Sequence, residues 1–122
     1  MPEPEAPALP PTEDYEITPA ATQKLLDKKF LPVRLIDCRE EDEFAICRID
    51  GALLLPLSAF GELAVASLGD DPDWPTIVYC HHGMRSMQAT QFLRERGFSK
   101  VWIMSGGIDE WSREIDPEVP KY

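Results

Sequence analysis

The segment TIVYCHHGMRS, residues 76–86, carries the clearest pattern in this sequence of 122 residues. Its first part, 76–80, is rich in β-branched and aromatic residues and predicts a strand. From Ser86 to Arg96 the apolar residues recur at helical spacing, and Gly97 is typical of the residue that ends such a helix. Cys80 therefore closes a strand just before a loop that opens a helix. Such a loop aims backbone N–H groups and the positive end of the helix dipole at the sulfur, which favours the nucleophilic thiolate.

Two further residues of this segment suit an anionic sulfur. Gly83 permits backbone dihedral angles that a Cβ would forbid. Arg85 brings a permanent positive charge within reach of the same loop. The alternative interpretation is that Cys80 is a buried strand-end cysteine of the kind common in protein cores. The local residues favour the reactive thiol and leave this alternative open.

The rest of the chain alternates between strand-like and helix-like segments. Further strands are predicted at 33–37, 52–56 and 100–104. Further helices are predicted from Pro19 after an N-cap at Thr18, after the acidic residues 40–43, over about 57–68, and from Gly107 to about Trp111. Strands that alternate with helices of this length indicate an α/β fold with a mostly parallel sheet and helices on both faces.

In sheets of this kind, ligands bind outside the carboxyl ends of the strands. Cys80 follows one such strand end. The residues that follow the other three are Asp37-Cys38-Arg39, Pro56 and Ser105-Gly106-Gly107. We therefore expect the chemistry of the protein at this edge of the sheet.

Composition and charge exclude some classes of function for this protein. The chain is 43% hydrophobic and 28% charged, which is typical of one soluble globular domain. Its net charge of −10 argues against a nucleic-acid partner, because binding to phosphates needs a basic surface. No apolar run approaches the roughly 20 residues of a membrane helix. The first residues also lack the basic and apolar regions of a secretion signal, so we expect a cytoplasmic protein.

The N-terminal segment differs in composition from the rest. Five of the first eleven residues are proline, and the first sixteen carry five acidic residues and no basic one. Such a segment buries too little apolar surface to order itself. We therefore predict a disordered tail over 1–15 and a single domain over 16–122.

The cysteines and histidines predict neither a disulfide framework nor a metal site. Cys38, Cys47 and Cys80 are few and widely spaced, and the two histidines, His81 and His82, are adjacent. No zinc-ligand spacing results. Cys38 and Cys47 are interpreted as core residues. For Cys38, which follows a neighbouring strand end, a resolving or redox-coupled role beside Cys80 is the alternative.

Residues 80–86 resemble the C-x-x-G-x-R-S active-site loop of the rhodanese (sulfurtransferase) family. The resemblance covers about 17–111. Besides the loop, the segments that carry it are Leu35 to Glu40, Glu43-Phe44, Gly51-Ala52, Gly97-Phe98, Gly106-Gly107-Ile108 and Trp111. One departure is Cys47-Arg48, where the family usually has Gly-His. The C-terminal residues 111–122 resemble the end of rhodanese modules fused to E1-like adenylating enzymes.

This resemblance implies a rhodanese-like five-stranded parallel sheet between layers of helices, and a sulfurtransferase without a cofactor. Cys80 would carry sulfane sulfur as a persulfide, taken from thiosulfate or a persulfide donor and passed to a thiophilic acceptor. The donor would be a small anion or a protein persulfide, and the acceptor could be a protein. We expect substrate contacts from the loop residues His81, His82, Gly83, Met84, Arg85 and Ser86. Asp37 and Arg39 are expected as a supporting ion pair that braces this loop.

Two alternatives stay open. Rhodanese-like modules without catalytic activity serve in interaction or regulation, although they often lack the cysteine. The second alternative is that the protein is a cysteine-dependent phosphatase or arsenate reductase. The active-site loops of those enzymes are one residue longer, C-x5-R. Cys80 and Arg85 have the shorter C-x4-R spacing, and the loop offers no clear general acid for a phosphate leaving group.

Overall fold

The computed structural model describes residues 9–11, 13–27, 33–68 and 74–120. The strands within them are β1 (Glu16–Ile17), β2 (Arg34–Asp37), β3 (Leu53–Leu54), β4 (Thr76–Tyr79) and β5 (Val101–Met104). The helices are α1 (Pro19–Leu26), α2 (Glu41–Ile46), α3 (Phe60–Leu68), α4 (Met84–Glu95) and α5 (Gly107–Glu114), and a 3-10 turn, Leu57–Ala59, precedes α3. None of the helices in the described part of the chain has the length and hydrophobicity needed to cross a membrane.

The strands form one parallel sheet in the order β1-β5-β4-β2-β3, which confirms the predicted fold class. β4 lies at the centre, between β5 and β2, so its carboxyl end has a strand end on either side. Asp37 of β2 is paired with Tyr79 of β4, which aligns those two ends. Residues of one strand alternate between the two faces of the sheet.

Helices cover both faces, and each face has its own apolar core. On the first face, which we call the α1/α5 face, the buried residues include Leu25, Leu35, Ile77, Tyr79, Trp102, Ile108 and Trp111. On the second, the α3/α4 face, they include Ile36, Val78, Phe60, Ala64, Ala89 and Leu93. Cys38 and Cys80 both lie in the core of the α3/α4 face, whereas Cys47 lies in that of the α1/α5 face.

Local sequence signals account for the helix starts. Thr18 Oγ1 accepts a hydrogen bond from the backbone N–H of Ala21 at 3.1 Å, and Pro19 occupies the first helical turn, as predicted. The start of α2 is capped from within the helix, because Glu43 Oε1 in its first turn accepts the N–H of Glu40 at 3.1 Å. α5 extends three residues beyond its predicted end at Trp111.

The N-terminal boundary differs from the prediction. Residues 1–8 and Thr12 of the predicted disordered tail lie outside the described residues, but 9–11 and 13–15 pack on the domain. The buried Trp102 donates its indole N–H to the Pro11 carbonyl at 3.1 Å. Arg94 donates to the Asp14 carbonyl at 2.7 Å. A buried indole N–H needs an acceptor, and this segment supplies it, so packing begins before residue 16.

Candidate active site

The candidate site lies at the carboxyl ends of β2 and β4. Cys80 is the first residue after β4 and is 1% exposed, and Cys38 is the first after β2 and is fully buried. The Cys38 N–H donates to the Tyr79 carbonyl at 3.0 Å, which extends the ladder between the two strands by one residue. The topology of the sheet therefore brings two sulfur atoms to neighbouring strand ends.

The loop after β4 wraps around the Cys80 sulfur. Gly83 donates its backbone N–H to Cys80 Sγ at 3.0 Å. Gly83 has φ 140° and ψ −16°, a conformation that L side chains rarely adopt, and α4 begins at the next residue. Ser86 Oγ lies 3.5 Å from Sγ and 2.9 Å from the Gly83 carbonyl oxygen, and its single proton is donated to one of these two acceptors at a time. The first turn of α4 thus closes over the sulfur with polar hydrogens.

These contacts change the protonation of Cys80. The pKa of its thiol is lowered from about 9 to about 5. The largest cause is the Cys38 side chain, and burial of the sulfur opposes it by raising the pKa. The Ser86 hydroxyl and the backbone N–H groups of Ser86 and Gly83 lower it further. Cys80 is therefore a thiolate at neutral pH, the form that acts as nucleophile.

Cys38 has the opposite character. Its Sγ donates to the Tyr79 carbonyl at 3.4 Å. Its pKa is raised well above that of a free thiol, first by its interaction with Cys80, next by burial, and then by the negative charges of Cys80 and Asp37. Cys38 therefore remains a thiol beside a thiolate.

Arg85 lies in the loop but is held by a carboxylate. Its two terminal nitrogens donate to the two oxygens of Glu43 in the first turn of α2, with Nη2 at 2.8 Å from Oε2. This bidentate pair raises the pKa of Arg85. The sequence predicted an added positive charge at the sulfur. The structure instead offsets much of that charge with Glu43, and the thiolate of Cys80 is stabilised by the Cys38 side chain, the Ser86 hydroxyl and the N–H groups of the loop.

The remaining loop side chains face outward to different degrees. The rings of His81 and His82 stack with centroids 4.0 Å apart, and His82 is 69% exposed. Burial and the neighbouring His82 lower the pKa of His81. Met84 is 83% exposed. Of the six predicted substrate residues, Gly83 and Ser86 contact the sulfur directly, whereas Met84 and His82 line the rim of the site.

The N-terminus of α5 fixes the loop from the side of β5. The N–H of Ile108 donates to the Cys80 carbonyl at 2.8 Å, and that of Asp109 donates to the His81 carbonyl at 3.2 Å. A Cβ on Gly107 would overlap both carbonyl oxygens. Only glycine permits this approach. The sequence indicated Gly106-Gly107 as a turn at a strand end, and its contact with the cysteine loop was missed.

Asp37 and Arg39 form a fully buried ion pair, with Arg39 Nη2 at 2.6 Å from Asp37 Oδ2. Because residues alternate along β2, Asp37 shares the α1/α5 face with Tyr79, opposite to Cys80. Arg39 also donates to the Cys47 carbonyl. The pair therefore holds the segment after α2 rather than the cysteine loop that it was expected to brace.

No group of three or more His, Cys, Asp and Glu side chains that could hold a metal ion occurs among residues 9–11, 13–27, 33–68 and 74–120.

Comparison with known proteins assigns the family. A family model described as rhodanese-like domain matches residues 18–114. The chain belongs to the rhodanese-like domain family. Thiosulfate sulfurtransferase GlpE of Actinobacillus succinogenes is 33% identical over 98 residues, which are 80% of this chain and 84% of that protein.

A second relative is considerably longer. Rhodanese-like/PpiC domain-containing protein 12, chloroplastic, of Arabidopsis thaliana is 34% identical over 114 residues, 92% of this chain. This rhodanese-like domain spans only 38% of the length of that relative. Among solved structures, the human single domain sulfurtransferase TSTD1 is 27% identical, with a TM-score of 0.69 over 81% of this chain and 96% of that one.

Two contacts of this rhodanese-like domain were not predicted. Glu43 was recognised as an acidic residue near a helix start and as part of the resemblance, but its pairing with Arg85 was missed. Gly107 was recognised as a turn residue and as part of the resemblance, but its contact with the cysteine loop was missed. The interaction of Cys38 with Cys80 was weighed as an alternative to core packing. The order of the strands was the missing signal, because it makes the ends of β2 and β4 neighbours.

Proposed function

We propose that this protein is a sulfurtransferase that carries sulfane sulfur on Cys80. Membership of the rhodanese-like family and the likeness to thiosulfate sulfurtransferases support this class of reaction. The observation that carries the proposal is the 3.0 Å hydrogen bond from the Gly83 N–H to a Cys80 sulfur whose pKa is lowered to about 5. A core cysteine has no need of such donors.

In the loading step, the Cys80 thiolate attacks the outer sulfur of thiosulfate or of a persulfide donor. A bond forms between Cys80 Sγ and this sulfur. The sulfur–sulfur bond of the donor breaks, and its electron pair leaves with sulfite or with the thiolate of the donor. The product is a Cys80 persulfide anion, for which the N–H groups of Gly83 and Ser86 are the available donors.

In the transfer step, a thiolate acceptor or cyanide attacks the outer sulfur of this persulfide, and the Cys80 thiolate leaves. A thiol with a low pKa is a good leaving group, so the contacts that stabilise the thiolate also speed its release. The contacts of Gly83 and Ser86 with the sulfur thereby serve both half-reactions. A reducing cytoplasm suits this cycle, since Cys80 must be regenerated as a thiolate.

Charge favours a protein as the physiological sulfur donor. The net charge of the chain is −10, which slows the approach of small dianions such as thiosulfate. Glu43 offsets the charge of Arg85 within the site as well. A persulfide-bearing protein with a basic surface would meet this chain faster. We propose such a donor, with a protein thiol as the acceptor.

Intact-mass measurement after incubation with thiosulfate tests the function. We expect wild-type protein to gain one sulfur atom that cyanide removes, and Cys80→Ser to gain none. Cys47→Ser is the matched control, because Cys47 lies on the opposite face and should leave loading unchanged. If neither thiosulfate nor a low-molecular-weight persulfide loads the wild type, the proposal is wrong and a non-catalytic interaction module is indicated. Turnover of an aryl phosphate without sulfur loading would indicate a phosphatase.

A further inference from the structure

Two buried sulfur atoms occupy neighbouring strand ends on the same face of the sheet. The pairing of Asp37 with Tyr79 and the hydrogen bond from the Cys38 N–H to the Tyr79 carbonyl place Cys38 beside Cys80. Adjacent strands lie about 4.8 Å apart. Disulfides join residues whose Cα atoms are about 4.4–6.8 Å apart, so this spacing suits a bond between the two.

The two sulfur atoms have different surroundings, since Cys80 is contacted by the loop and Cys38 by the apolar core. Gly83 and Ser86 contact Cys80 Sγ from the loop and from α4. Cys38 approaches from β2, and its side chain lies in the same apolar core as Ile36 and Val78. Cys38 is fully buried, and among the described residues the thiol that its side chain interacts with is that of Cys80.

We propose that Cys38 is an internal acceptor that discharges the Cys80 persulfide as hydrosulfide when no external acceptor arrives. This second activity rests on the persulfide of the proposed function. It differs from sulfur transfer because the sulfur leaves as a free ion and the protein itself supplies the electrons.

The step balances without an added oxidant or reductant. The Cys38 sulfur attacks Cys80 Sγ, and a disulfide bond forms between the two. The bond between Cys80 Sγ and the outer sulfur breaks, and its electron pair leaves with the outer sulfur. The proton of the Cys38 thiol passes to that sulfur, which departs as HS⁻. The sulfane sulfur is reduced, and the two cysteine sulfurs are oxidised to the disulfide.

The protonated state of Cys38 sets the order of events. A thiol is a far weaker nucleophile than a thiolate, and the pKa of Cys38 is raised by its neighbour and by burial. External acceptors that enter as thiolates therefore react first. The internal reaction becomes visible only when they are absent, and an external dithiol then restores Cys80 by reducing the disulfide.

The experiment loads the full chain in two parallel arms, with thiosulfate and with inorganic polysulfide, a small donor that transfers sulfur to a thiolate without enzymatic help. After donor removal, hydrosulfide release and non-reduced intact mass are followed over time in the absence of thiols. We expect one hydrosulfide per loaded chain, loss of the added sulfur and of two hydrogens, and a peptide pair linked through Cys38 and Cys80. The rate should not depend on protein concentration, since the step is intramolecular.

Two variants and one control isolate Cys38. Cys38→Ser and Cys38→Val should keep the persulfide at least about tenfold longer than wild type, because they lack the attacking sulfur. Cys38→Val shows whether the buried hydroxyl introduced by Cys38→Ser itself changes the lifetime of the persulfide. Cys47→Ser, a buried cysteine on the α1/α5 face, should discharge like the wild type.

The outcomes separate this inference from the proposed function. Failure of thiosulfate alone to load Cys80 would count against thiosulfate as donor, while the polysulfide arm still tests Cys38. A wild-type persulfide that persists as long as that of the Cys38 variants overturns the inference. So does hydrosulfide release without a bond between Cys38 and Cys80.

Discussion

The carboxyl ends of β2 and β4 are neighbours with opposite properties. Both place a cysteine in the core of the α3/α4 face, and both cysteines are buried. At the end of β4, the Cys38 side chain, Ser86 and the N–H of the positive-φ Gly83 surround the sulfur and stabilise its thiolate. At the end of β2, the sulfur meets a carbonyl oxygen and stays protonated. Burial is common to the two, so hydrogen-bond polarity decides which cysteine is reactive.

The two ends also differ in what their charges do. Beside Cys38, the fully buried Asp37 and Arg39 neutralise each other and hold the segment that includes Cys47. Beside Cys80, the pair of Arg85 and Glu43 is partly exposed and joins the loop to α2. The ion pair at the β2 end therefore serves stability, and the ion pair at the β4 end holds the reactive loop. Substitutions on each side should separate these two properties.

Asp37→Asn should have the largest effect on stability and little on reactivity. It leaves the buried Arg39 without its counter-charge, which costs about 3–5 kcal/mol. Chemical denaturation measures the loss, and the pH profile of Cys80 alkylation should keep its midpoint. The exposed Asp50→Asn serves as control, with a change within about 0.5 kcal/mol. If Asp37→Asn moved the alkylation midpoint while leaving stability unchanged, the division between the two ends would be refuted.

Gly83→Ala should have a smaller effect on stability but a clear one on reactivity. A side chain at φ 140° costs about 1–3 kcal/mol. The loop then relaxes, the N–H moves away from Cys80 Sγ, and the pKa of Cys80 rises. We expect persulfide loading at pH 6 to slow by about twofold, because a pKa increase of about one unit from about 5 lowers the thiolate fraction from about 0.9 to about 0.5.

Gly51→Ala is the matched control for this substitution. Gly51 also has positive φ, at 85°, and a Cβ there meets no neighbour, as at Gly83. Comparable destabilisation is expected, with loading and the pKa of Cys80 unchanged. Equal slowing in both variants would mean that backbone strain alone, and not the lost N–H, controls the reaction.

The fold was largely predictable, because its signals are local. The runs around Ile77 and Trp102 are apolar strands, and Thr18 and Gly97 mark a helix start and end. β1 escaped prediction: it has two residues, pairs only with β5 and shows too short a pattern to detect. The resemblance to rhodaneses supplied the fifth strand that periodicity did not.

The candidate site was predictable to the extent that it is contiguous in sequence. Residues 80–86 form one loop, so the placement of Gly83 and Ser86 near the sulfur followed from the strand-loop-helix pattern. The contact between Glu43 and Arg85 spans 42 residues and left no local signal. The face on which Asp37 lies depends on the register of β2, which strand patterns do not specify.

The pH dependence of Cys80 alkylation in the wild type tests whether this sulfur is a thiolate at neutral pH. Carbamidomethylation by iodoacetamide, quantified at Cys80 by peptide mass spectrometry, reports the thiolate fraction directly. Since the pKa of Cys80 is lowered to about 5, the rate should be constant near neutral pH and fall to half at about pH 5. A rate that instead rises through neutral pH, with its midpoint near that of an ordinary thiol at about 8.5, would contradict the account.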